Sequence, residues 1–110
     1  KLKDYKMGYA RIYGMIGNIM GVSKQWEECL MCYEVQLEVR EQLLDPNHED
    51  IGITHANIGA AYREMKKYAE AVKHFTKALD IYQHSLPSDH PNVRKAEENL
   101  KSVLDRMDSS

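Results

Sequence analysis

Two sets of residues could do chemistry in this chain: the pair Cys29-x-x-Cys32 and the histidines 48, 55, 74, 84 and 90. A C-x-x-C pair can be a redox couple, but it then opens a helix, where the positive end of the dipole lowers a thiol pKa. Here it lies inside a run of helical spacing, and Cys29 stands where that run needs a small packing residue. Structural zinc needs two further ligands at matching spacing, and there is no second pair. His48 and His90 sit in two echoing stretches, LLDPNHEDI (43–51) and SLPSDHPNV (85–93), forty-two residues apart. The sequence carries no nucleophile motif, no phosphate-cradling glycine loop and no HExxH. The reading is therefore non-catalytic, with no cofactor and no metal.

Composition narrows the partners. The 110 residues carry a net charge of −2 with acids and bases interleaved, so there is no basic surface for nucleic-acid phosphates. The longest apolar runs fall well short of a membrane span. Two cysteines are too few for a disulfide framework, which favours a reducing, cytoplasmic location. The opening residues Lys1 to Tyr5 read as mid-protein sequence, so the expectation is a single domain over 1–110 taken from a longer array.

The elements that hold these residues follow from the forty-two-residue shift. It places Ile16-Gly17 on Ile58-Gly59, Glu28 on Glu70, Leu37 on Leu79, Leu44 on Leu86 and His48 on His90. A fixed period of this size marks a repeat array, whose units bury their apolar faces against their neighbours. Within a period the apolar spacing is three and four, as in Ile51, Thr54, His55, Ile58 and Tyr62, and again from Tyr68 to Tyr82. Each period is thus two antiparallel helices. Pro46 and Pro87 stop the second one, and the His connector caps the next. The spacing predicts helices over about 5–21, 25–43, 49–65, 68–85 and 91–107. Repeat 1 covers about 5–45 and repeat 2 about 47–87.

His55-x-x-Ile58-Gly59-x-x-Tyr62, followed by Ala71-x-x-x-Phe75 and Ala78, resembles the tetratricopeptide repeat. The first copy is looser, with Tyr13, Ile16-Gly17, Met20, Cys29, Tyr33 and Gln36 at those positions. The long unit with its His- and Pro-bearing connector is similar to the kinesin light chain type. The resemblance implies an all-α fold: a right-handed α-α superhelix of two helix-turn-helix repeats plus a C-terminal capping helix. It also implies that Gly17 and Gly59 mark helix crossings, with Cys29 and Ala71 as the small residues opposite and Tyr62 and Phe75 filling the space between units. Lys24 and Lys66 stand where the turn usually has glycine, and Lys101 stands at the third crossing position, which fits a solvated cap.

For function, the resemblance implies a protein–protein interaction module that holds a peptide or partner helix in a concave groove lined by the first helices. Asn57 and Asn99 match the family's asparagines that bond a ligand backbone, and an amide offers both a donor and an acceptor for that task. Met15 is the first-copy equivalent, and Asn18, Ala60, Arg63 and Lys95 are neighbouring groove positions. A clamp for a terminal carboxylate is argued against by Gly14 and Met15, which replace its Lys-Asn pair. A second expectation concerns the first helix, where Tyr5, Tyr9 and Tyr13 recur every four residues among further apolar residues. A terminal face should be polar. Tyr5, Tyr9 and Tyr13 are therefore read as a candidate face for upstream repeats, self-association or packing in a larger assembly.

Overall fold

The computed structural model describes residues 1–109. It contains α1 (Leu2–Val22), α2 (Trp26–Leu43), α3 (Glu49–Glu64), α4 (Tyr68–Ser85) and α5 (Pro91–Ser109), with no strand among the described residues. The expected bounds of the inner helices hold to within one residue. α1 begins three residues earlier than expected and α5 ends two later. The residues before Tyr5 hold no proline, whereas both connectors do (Pro46 and Pro87), so nothing stops α1 running back to Leu2.

The helices form two layers, α1, α3 and α5 against α2 and α4, in a slab of 50 × 34 × 18 Å. The main packing is between sequence neighbours, as in a linear array. Both repeat junctions share one device. His48 Nδ1 accepts the Asp50 backbone N–H at 3.0 Å, and His90 Nδ1 accepts that of Asn92 at 3.0 Å. The two connector histidines are helix caps, which is the architectural role expected of them.

The turn inside each repeat is the same construction made twice. Lys24 and Lys66 adopt φ of 61° and 62°, the left-handed conformation that glycine normally supplies. Beyond them, Gln25 N–H reaches Met20 O and Lys67 N–H reaches Tyr62 O, both at 2.9 Å, closing the helix end.

Gly59 does mark a helix crossing, but its neighbour is not the expected alanine. A Cβ there would lie 2.9 Å from the Phe75 ring, and a Cβ on Gly17 would lie 2.6 Å from Tyr33. Ala71 instead groups with Phe75 and with Val103 of α5, while Cys29 groups with Ile58 and Ala61 of α3. The large ring sits on the glycine of its own repeat, and the small residue one turn earlier lets the next first helix approach. Phe75 and Tyr62 both reach the space between units, as expected. Lys101 is exposed, so no side chain needs a glycine there.

Candidate functional site

The first helices α3 and α5 face each other across a cavity of about 420 Å³. Asn57, Ala60 and Arg63 line it from α3, and Lys95 and Asn99 line it from α5. Ile53, Ala56 and Ala96 contribute apolar wall, and Tyr82 of α4 contributes as well. The small residues follow from helical spacing: Ile53, Ala56, Asn57, Ala60 and Arg63 fall three and four apart, one face of α3. With Ala56 and Ala60 on that face and Ala96 across from them on α5, the space between the helices stays open.

Polar groups here are held in place. Arg63 Nη1 donates to Asn99 Oδ1 at 3.3 Å, and its guanidinium lies 5.5 Å from the centre of the Phe75 ring. The buried Arg63 Nε has no hydrogen-bond partner among the described residues, only the Glu64 carboxylate at 3.7 Å. Since Asn99 Oδ1 is taken by Arg63, its amide N–H groups are the ones left for a ligand. Asn57 has no side-chain hydrogen bond among the described residues, so both of its functions are open. At the rim, Asn92 Nδ2 donates to Glu49 Oε2 at 2.9 Å and ties α5 to the start of α3.

Five of the seven expected groove residues thus share one cavity; Met15 and Asn18 do not. Both lie on α1. Met15 is exposed, and Asn18 Oδ1 accepts the Tyr33 hydroxyl, a bond inside the first repeat. Tyr33 stands at the Phe75 position and carries the extra hydroxyl, which needs an acceptor when the side chain is buried. The three tyrosines also separate. Tyr5 and Tyr9 are exposed, whereas Tyr13 is half-buried with its ring 4.8 Å from that of Tyr9. A step of four residues turns about 400°, so each tyrosine drifts some 40° from the one before. The exposed line follows steps of three and four instead, through Leu2, Tyr5, Tyr9 and Ile12, and reaches Ile19 by way of the half-buried Ile16.

One juxtaposition gave no sequence signal. His55 of α3 and His74 of α4, nineteen residues apart, share a hydrogen bond between their Nδ1 atoms at 3.0 Å, with Tyr62 stacked on His74. Burial pushes His55 down to about 4, with His74 and Lys77 adding to the shift. Burial also lowers His74, helped by Lys73 and Lys77 and opposed by Glu70. The pair is therefore neutral, one ring donating and the other accepting. Cys29 and Cys32 are free thiols, and burial raises Cys29, the opposite of what a nucleophile needs. No group of three or more His, Cys, Asp or Glu among the described residues could hold a metal. No helix among the described residues is long and apolar enough to cross a membrane.

A second cavity, of about 400 Å³, opens between the second helices and is lined by Glu41, Asn47, His55, Lys77 and Asp80. It mixes both charge signs, whereas the α3–α5 cavity has amides at equivalent positions on two helices.

The family model described as tetratricopeptide repeat matches residues 8–84 and 50–109. Human nuclear autoantigenic sperm protein is 23% identical over 95 residues, which is 86% of this chain and 12% of that protein. Drosophila melanogaster protein O-mannosyl-transferase Tmtc3 is 24% identical over 86% of this chain and 9% of its own length. The chain therefore spans an eighth or less of these two relatives. Among solved structures, a putative kinesin light chain from Podosopora anserina with nearly identical TPR-like repeats superposes with a TM-score of 0.78 at 17% identity. That match covers 86% of this chain and 44% of the other.

Proposed function

The chain belongs to the tetratricopeptide repeat family, and we propose that it holds an extended peptide or partner helix between α3 and α5. Repeats of this family mediate protein–protein contacts, and the fold is typically non-catalytic. The observation that carries the reading is the pair Asn57 and Asn99, one repeat apart and lining one cavity. Asn57 both donates to and accepts from a peptide unit, while Asn99 donates from the nitrogen that Arg63 leaves unused. Ile53, Ala56, Ala60 and Ala96 receive an apolar side chain of the ligand. Lys95 and Arg63 make the polar rim favourable to an acidic neighbour on that ligand.

The test is a displayed library of random peptides selected on the wild type, with affinities then measured on variants. Asn57→Asp replaces a donor by a charge and should weaken the selected peptides by at least about tenfold, about 1.4 kcal/mol. Asn99→Asp should have a smaller effect in the same direction. Glu27→Lys, exposed on α2, should have none. Peptides that bind all three variants equally would place recognition elsewhere and defeat the reading.

A further inference from the structure

Seven of the ten large apolar residues exposed in the described chain lie on α1. Five of them are not scattered: with the half-buried Ile16, Leu2 and Tyr9 repeat every seven residues, and so do Tyr5, Ile12 and Ile19 three residues later. That is an a/d seam sustained over three heptads. Gly14 and Gly17 lie off the seam, against Gln36 and Tyr33 of α2.

The same positions on the other first helices already have partners. Ile51, Thr54, Ile58 and Ala61 of α3 correspond to Tyr9, Ile12, Ile16 and Ile19, and all four are buried. Val93, Ala96 and Val103 of α5 are their next equivalents and are buried against α4. α1 thus presents a third receiving face, and a longer one. It stays helical through Leu2–Lys6, the positions where Leu44–His48 and Leu86–His90 form connectors, so Leu2 and Tyr5 extend the seam by a heptad.

We propose that α1 pairs antiparallel with α1 of a second copy, making a symmetric dimer. A second copy cannot offer a second helix, because α3 covers α2 and α5 covers α4; the face it has to offer is α1 itself. The seam is self-complementary. In an antiparallel pair the layers are Leu2 on the partner's Ile19, Tyr5 on the partner's Ile16, and Tyr9 on the partner's Ile12. Every tyrosine then meets an isoleucine, and two-fold symmetry makes each layer twice. Gly8 leaves a notch bounded by Tyr5, Tyr9 and Ile12, residues spaced i, i+3, i+4 and i+7, the diamond that takes an incoming knob. The positions flanking the middle of the seam are Gly8, Tyr13 and Met15, so no like charges oppose the approach.

Light scattering on a sizing column tests this, with Met31→Lys as the control because Met31 is also exposed, on α2. Wild type and Met31→Lys should elute at twice the 12.7 kDa chain mass, and Ile12→Lys at the chain mass itself. Ile12 is exposed, so its loss leaves the core intact. Orientation is read by disulfide trapping in a Cys32→Ser background. A mixture of Tyr9→Cys and Ile12→Cys chains should cross-link, while Ile12→Cys alone should not. A wild type that stays at 12.7 kDa at every concentration overturns the proposal, including the case in which a helix from elsewhere covers α1. A dimer that survives Ile12→Lys, or Ile12→Cys chains that link to themselves, does so as well.

Discussion

The α2–α3 and α4–α5 junctions are the same interface written in two chemistries. At α4–α5, Ala78 and Tyr82 pack on Val93 and Ala96, an apolar contact throughout. At α2–α3, the equivalents of Ala78 and Tyr82 are Gln36 and Arg40, which hydrogen-bond. Gln36 Nε2 donates to Ala10 O at 3.0 Å and Gln36 Oε1 accepts the Thr54 hydroxyl at 3.0 Å. Arg40 Nη1 donates to Thr54 Oγ1 at 2.9 Å and to Asp50 O at 3.0 Å. Size is compensated across the repeat. Gln36 stands beside Gly14, where a Cβ would come within 2.0 Å of its amide, whereas Ala78 has Ala56. Tyr82 stands on Gly52, where a Cβ would come within 2.6 Å, whereas Arg40 has Ala10. The array conserves the summed volume of facing positions, not their identities. A polar end on the α2–α3 junction, beside its apolar cluster of Cys29, Leu30, Tyr33, Ile58 and Ala61, is tolerated because each of its buried groups is bonded.

The largest effect should come from the apolar junction. Phe75 is fully buried between α3 and α5, and Phe75→Ala should cost about 3–5 kcal/mol in denaturant unfolding. A loss below about 1 kcal/mol would mean that the junction collapses around the cavity. At the polar junction, Gly14→Ala should cost about 1–3 kcal/mol, because the new methyl expels Gln36 and strands its partners. Adding Gln36→Ala rebuilds the Ala56–Ala78 arrangement of the second repeat, so the double variant should recover much of that loss. An additive double variant would contradict the compensation.

The His55–His74 pair makes the second repeat acid-sensitive in a way the first is not. Unfolded histidines take up protons near pH 6.5, while His55 in the folded chain resists protonation down to about 4. Its stabilising contribution is therefore complete above about 6.5 and is lost as pH falls from there toward 4. Thermal melts should show Tm falling over that window, and His55→Phe should flatten that part of the profile. An unchanged slope in the variant would assign the effect to other groups. The smallest change concerns the turns: Lys66→Gly relieves a left-handed lysine and should stabilise by about 1 kcal/mol.

The fold was legible because every local signal agreed with the forty-two-residue period. The groove was legible only in its second half. Asn57, Ala60, Arg63, Lys95 and Asn99 come from the two repeats whose first helices face one another. The bond that Asn18 accepts was not legible, because the Tyr33 hydroxyl is an atom that Phe75 lacks and a substitution of that kind leaves no trace in apolar spacing. Gln36 looked like a weak match to an alanine position, yet its size is legible once Gly14 is placed opposite. The histidine pair was hidden because α3 and α4 bring together residues with no shared period.

We propose that recognition takes place between α3 and α5. The most direct measurement is an amide chemical-shift map of the labelled chain titrated with a library-selected peptide. A peptide held there should give the largest shifts at Ile53, Asn57, Ala60 and Asn99, with α2 unmoved. Shifts confined to α1, or to the Glu41–Lys77–Asp80 cleft between the second helices, would contradict it.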